Sequence, residues 1–238
     1  MRPIILAAAV VLAMPVVAGS REDDAIRLNV ETNLRQVQVL AGERLYVEVT
    51  DGVVRLSGTV STLYRKWQAL DQTSRVRGVL SIQDAIDLDG GSRSNSGLLD
   101  TVERRLEDIP RVANQKLEIS VSDGTVTLKG EVKDARIRFA ARDAVADVLG
   151  VTAVVDAITS GEQDDETLKK QLTQVLGRSS LEHVPGKIEI EVVNGVVTLA
   201  GEVPRLWERI DAERTVLGVN GVKGVVNQLE VKPKPRPE

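Results

Sequence analysis

The sequence predicts an α+β fold of three tandem small αββαβ units, each a three-stranded sheet with two helices on one face. Three observations predict it. The segments LYVEVTDGVVRLSGTV (45–60), LEISVSDGTVTLKGEV (117–132) and IEIEVVNGVVTLAGEV (188–203) are copies of one another. Gly52, Gly124 and Gly195 stand 72 and 71 residues apart, and two further glycine sets keep that spacing: Gly58, Gly130, Gly201 and Gly78, Gly150, Gly221. Each copy lies between segments of helical apolar periodicity.

The elements follow in order. A first helix is read from Ile26, Val30, Leu34 and Val37, with Asp24 as its N-cap. Its counterparts are Leu99, Val102, Leu106 and Ile109, ended by Pro110, and Leu168, Leu172 and Val175, ended near Gly177. A strand of period-two alternation follows, with Leu45, Val47 and Val49 pointing one way and Tyr46 and Glu48 the other. Asp51-Gly52, Asp123-Gly124 and Asn194-Gly195 tolerate the positive φ of a two-residue type I′ hairpin. The second strand carries Val54, Leu56 and Val60. A helix of about 16 residues then runs to Gly78, Gly150 or Gly221, read as the glycine that ends it. VLSIQDAIDL, VTAVVDAIT and VKGVVNQLEV supply the third strands.

Residues 24–89, 96–160 and 164–232 make the three units, and 233–238 form a Pro-rich tail. The linkers between units are polar and rich in Gly, Ser or acid. Residues 1–20 read as a cleavable secretory signal peptide, cut after Ala18 or Ser20. The mature chain is therefore expected to be released into an exported compartment.

The 238 residues hold 31 Lys and Arg, 35 Asp and Glu, one histidine and no cysteine. That excludes disulfides, zinc–thiolate sites and thiol nucleophiles. It leaves no two-histidine metal site, and the net charge of −4 argues against a nucleic-acid partner. His183 has no visible nucleophile to serve. No cofactor, metal or catalytic residue is expected.

Aromatic residues make up only 2% of the chain, as small aliphatic cores allow. Ala69, Thr73 and Val76 form the core stripe of the second helix, repeated as Ala141, Val145, Val148 and as Ala212, Val216, Val219. Leu63, Trp67 and Leu70 lie off that stripe, with Ala135, Phe139 and Ala146 as counterparts in the second unit and Leu206, Ile210 and Leu217 in the third. Tyr64 and Trp207 share one position near the helix start, beside Arg65, Lys66 and Arg205. Tyr64, Arg65, Lys66, Trp67, Leu70, Phe139, Trp207 and Ile210 are thus candidates for contact with a membrane surface, where aromatics favour the interface and cations meet anionic headgroups. Packing against a neighbouring helix or unit would use the same apolar pattern.

The hairpin V-x-(D/N)-G-x-V-x-L-x-G-x-V, then a helix and G-V-x-x-V-x-x-x-(I/L), resembles the BON family of bacterial domains. The resemblance spans nearly the whole chain after the signal peptide, three times. It implies a non-enzymatic exported protein, placed in the periplasm, that attaches to phospholipid and supports envelope integrity or tolerance of osmotic stress. An alternative it also implies is a periplasmic chaperone-like module that meets exported clients without lipid. Lipoprotein members carry a lipidated cysteine, which this chain lacks.

Overall fold

The computed structural model describes residues 20–89, 91, 94–177 and 188–232. The signal peptide, His183 and the tail lie outside them. Unit one consists of α1 (Arg21–Gln36), β1 (Arg44–Thr50), β2 (Val53–Val60), α2 (Leu63–Ser74) and β3 (Ser81–Leu88). Unit two adds α3 (Asn95–Glu107), a short α4 (Pro110–Ala113), β4 (Leu117–Ser122), β5 (Thr125–Val132), α5 (Ala135–Ala146) and β6 (Ala153–Ser160). Unit three adds α6 (Asp165–Leu176), β7 (Glu189–Val193), β8 (Val196–Val203), α7 (Leu206–Leu217) and β9 (Gly224–Val231).

In each unit the second strand is central, antiparallel to the first and parallel to the third. A crossover helix is what permits the parallel pair. The two helices cover one sheet face, where Val54, Leu56 and Val60 are fully buried, as are Val126, Leu128 and Val197, Leu199. The outer face is mostly polar, with Tyr46 exposed on it in unit one, Val155 in unit two, and Val193, Val196 and Val226 in unit three. Thr50 pairs with Val53, so the first hairpin has a two-residue loop; Asp51 and Gly52 both have positive φ, 49° and 74°, as type I′ requires.

Four local readings need correction. The N-cap of α1 is Ser20, whose hydroxyl accepts from the Asp23 amide, and not Asp24. In α3 the buried leucine is Leu98 and not Leu99, because adjacent leucines leave the helical phase ambiguous by one residue. Pro110 does not end α3 but opens α4 from its first turn, where its missing N–H costs nothing. The second helices are 12 residues long, and Gly78, Gly150 and Gly221 close the turns that follow them rather than the helices.

One repeated device ties the first helix to the hairpin. Asp23 accepts from the amides of Asp51 (3.2 Å) and Gly52 (3.0 Å). Asp165 does the same for Asn194 (2.8 Å) and Gly195 (2.9 Å), and Asn95 accepts from Asp123 (3.1 Å). The hairpin ladder leaves these amides without a backbone partner, and the side-chain acceptor satisfies them; for Gly52, whose bond is buried, an unmet amide would carry a penalty. The Gly52 amide, helped by Ser20 and Asp51, holds the Asp23 carboxyl below the usual carboxylate range against the opposing effect of burial.

Candidate functional site

The second helices are the place to look for function, since they carry four of the five aromatics. Their small-residue stripe is buried as expected: Ala69, Ala141 and Ala212 have no exposed surface, nor have Thr73, Val145 and Val216. The opposite face does not point into solvent. Leu63 of unit one belongs to the buried core of unit two, with Tyr64 and Trp67 packed against it. Leu206 of unit three belongs to the core of unit one, with Ile210, Val231 and Leu70 packed there. A Cβ built on Gly218 of unit three would lie 3.6 Å from Phe139 of unit two. Trp67, Phe139 and Ile210 are equivalent positions, so each second helix sends one bulky side chain into the next unit.

The ends of the units meet head to tail. Each unit has a tip end, with its hairpin, and a base end, where the second helix starts. At the base of unit one, Thr62 donates to Asp147 of unit two (3.2 Å). At the base of unit two, Ala135 donates its amide to the Asn220 side chain (3.0 Å), and the Gly221 amide donates to the Ser160 carbonyl (2.6 Å). At the base of unit three, Leu206 enters the core of unit one, and further along α7, in its last turn, Arg214 lies 3.8 Å from Asp71 of unit one. Residues 89–94 link unit one to unit two in sequence, and 161–164 link unit two to unit three. The third contact has no linker, yet it returns unit three to unit one and closes a ring with the second helices inside.

The cations expected to meet headgroups are engaged within the protein. Arg65 pairs with Glu43, which also accepts from the Ser61 hydroxyl (2.7 Å). Burial pushes the Glu43 carboxyl up, but Ser61 and Arg65 together outweigh it and hold the group below its ordinary value. Lys66 pairs with Asp84 (2.8 Å), and its counterpart Arg138 pairs with Asp156 (2.7 Å). In unit three Arg209 and Asn227 stand at those positions, and Asn227 donates to the Arg209 carbonyl (2.9 Å). This strand-to-helix tie was missed by sequence reasoning, although its 72- and 71-residue spacing was there to be read.

Arg142 stacks over both Trp67 (4.9 Å) and Phe139 (5.2 Å), joining helices of units one and two. Trp207 remains half-buried under Arg205, 5.4 Å from its ring. By repeat spacing the equivalents of Leu70 are Arg142 and Glu213, not Ala146 and Leu217. The glycines hold the turns: a Cβ on Gly124 would come within 2.7 Å of Thr152, and one on Gly58 within 1.9 Å of the Arg44 carbonyl.

One groove opens at the periphery. It is about 730 Å³, between the C-terminal half of α1 and β1, lined by Leu34, Leu40, Leu45, Tyr46 and Val47 with Glu31 and Glu48. β1 is an edge strand, paired with β2 alone. Among the described residues no helix is long and apolar enough to cross a membrane, and no group of His, Asp and Glu is placed to hold a metal ion.

Comparison with known proteins agrees with the repeat. The chain is 24% identical over 197 residues to Osmotically-inducible protein Y of Escherichia coli, covering 79% of this chain and 98% of that one. It is 35% identical over 96 residues to Outer membrane lipoprotein DolP of Haemophilus influenzae, covering 38% of this chain and half of that protein's length. Among solved structures, the C-terminal domain of CdsD, a structural protein of the Type III secretion system of Chlamydia trachomatis, aligns over 87% of this chain and 96% of its own at 17% identity, with a TM-score of 0.24. A TM-score that low says nothing of this ring. The profile described as BON domain matches residues 22–90, 94–162 and 164–233, and the chain therefore belongs to the BON domain family, in three tandem copies.

Proposed function

We propose that this chain is a non-catalytic protein of the bacterial envelope that binds extended segments of other exported polypeptides along the α1–β1 edge of unit one. The groove carries this reading. An edge strand presents unpaired backbone donors and acceptors to an added strand, and the apolar lining between Leu34 and Val47 would take alternate side chains of a guest. An envelope location is supported by the outer-membrane relative and by the export signal read in residues 1–20. Ion pairing of Arg65 and Lys66, packing of Trp67 on the core of unit two and the position of Phe139 beside Gly218 leave little of the second helices for a headgroup.

The test uses reduced, carboxymethylated α-lactalbumin as an unfolded probe and, separately, vesicles containing phosphatidylglycerol. Saturable binding of the unfolded probe is expected, weakened about tenfold (about 1.4 kcal/mol) by Tyr46→Lys, which blunts the edge without touching the core. Binding that Tyr46→Lys leaves unchanged would overturn the proposal. Binding to vesicles alone would restore phospholipid attachment as the function.

A further inference from the structure

Three head-to-tail contacts close the ring, and they are not alike. Two join units that a linker already tethers. The third, unit three on unit one, is held by surface complementarity alone.

Leu206 and Leu70 both take part in this third contact. Leu206 lies in the buried core of unit one and is not part of unit three's. Leu70 stands where units two and three have Arg142 and Glu213, positions at which the fold itself demands no apolar group. Leu206 thus serves the contact rather than its own core, and Leu70 packs against the same cluster that receives it.

Its polar part also differs. The first two junctions use Thr62 on Asp147 and the Asn220 side chain on a backbone amide. The third uses charges: Arg214 lies 3.8 Å from Asp71, which also pairs with Arg75 (2.9 Å), and the Asp211 carboxylate acts on Arg75 from the unit-three side. Arg214 and Arg75 are half exposed. Salt screens such groups readily, and each pair is worth little in water.

We propose that the contact between the base of unit three and the tip end of unit one is an exchangeable docking surface, and that its partner is a second copy of this chain. The two surfaces are different and complementary, so the contact is heterologous. Such a contact either closes on itself or continues into another molecule. At low concentration the tether through unit two keeps the local concentration of the mating surface high and the ring closed. Once opened, the base of unit three offers Leu206, Ile210 and Val231 to unit one of another copy in the same geometry. Two chains exchanging in this way form a six-unit ring with every contact preserved.

The experiment pairs two variants of the full chain. Leu206→Asp spoils the base of unit three, and Leu70→Asp spoils the receiving face of unit one. Each variant should sediment as a monomer, since its one intact surface finds no mate. An equimolar mixture should yield a one-to-one dimer through the single intact contact, and raised salt should shift it back toward monomer. A mixture that stays monomeric, with both variants keeping the parent's circular dichroism, would overturn the proposal; so would dimers of either variant alone. If either variant fails to fold, the surface pair Asp71→Arg and Arg214→Asp replaces them, with the same two outcomes deciding.

Discussion

Replacing Gly58 by alanine is expected to unfold unit one. Gly58 has φ of 119°, and the new Cβ would sit 1.9 Å from the backbone carbonyl oxygen of Arg44 and 3.0 Å from its carbon. Those are backbone atoms of the partner strand, held by the Leu45–Gly58 register, so no side chain can swing aside. Backbone strain alone costs roughly 1–3 kcal/mol, and the clash adds to it. A domain near this size is stable by only about 3–10 kcal/mol. Amides of β1 to β3 should lose hydrogen-exchange protection while β4 to β6 keep most of theirs. Gly42→Ala is the control: φ is 88°, but nothing lies within 4 Å, so only strain of about 1 kcal/mol should appear. Equal effects of the two substitutions would show that the close approach at Gly58 is not what demands glycine there.

Asp156→Ala should destabilise unit two by about 3–5 kcal/mol, because it strands the Arg138 guanidinium in the interior without its counter-charge. The Arg138 side chain is 7% exposed and that of Asp156 14%. Arg138 Nη1 already finds no hydrogen-bond partner among the described residues, so little else can compensate. The Ile158 amide, which donates to Asp156, would lose its acceptor as well. The equivalent Asp84→Ala should cost far less, about 1 kcal/mol, since Lys66 and Asp84 are 20% and 36% exposed and a freed lysine can reach water. Thermal melts of the two variants provide the comparison. A larger loss for Asp84→Ala would refute the burial argument.

Much of this structure is legible in the sequence, for identifiable physical reasons. Asp51-Gly52 and its copies announce their turns because few residue pairs accept positive φ twice in succession. The stripe through Ala69, Thr73 and Val76 is legible because helical periodicity marks which face is apolar. Periodicity does not say what covers a face. Trp67, Phe139 and Ile210 therefore stood out as unusual positions, with a membrane and a neighbouring unit both open as partners, and the structure sets them against neighbouring units. The tether from Asp23 to Gly52 was hidden for a different reason. An acid in the first turn already has an explanation in capping and the helix dipole, so nothing in the residue itself signals a contact 29 positions away. Only its recurrence as Asn95 and Asp165 could have shown it.

That the second helices face one another and close the units into a ring is tested most directly by small-angle scattering of the chain from Ser20 onward. A compact chain of about 220 residues has a radius of gyration of about 17 Å, and a closed ring should lie near that value, with a single-peaked distance distribution. A clearly larger radius with a second peak at longer distances would mean units strung out on their linkers, and would contradict the ring.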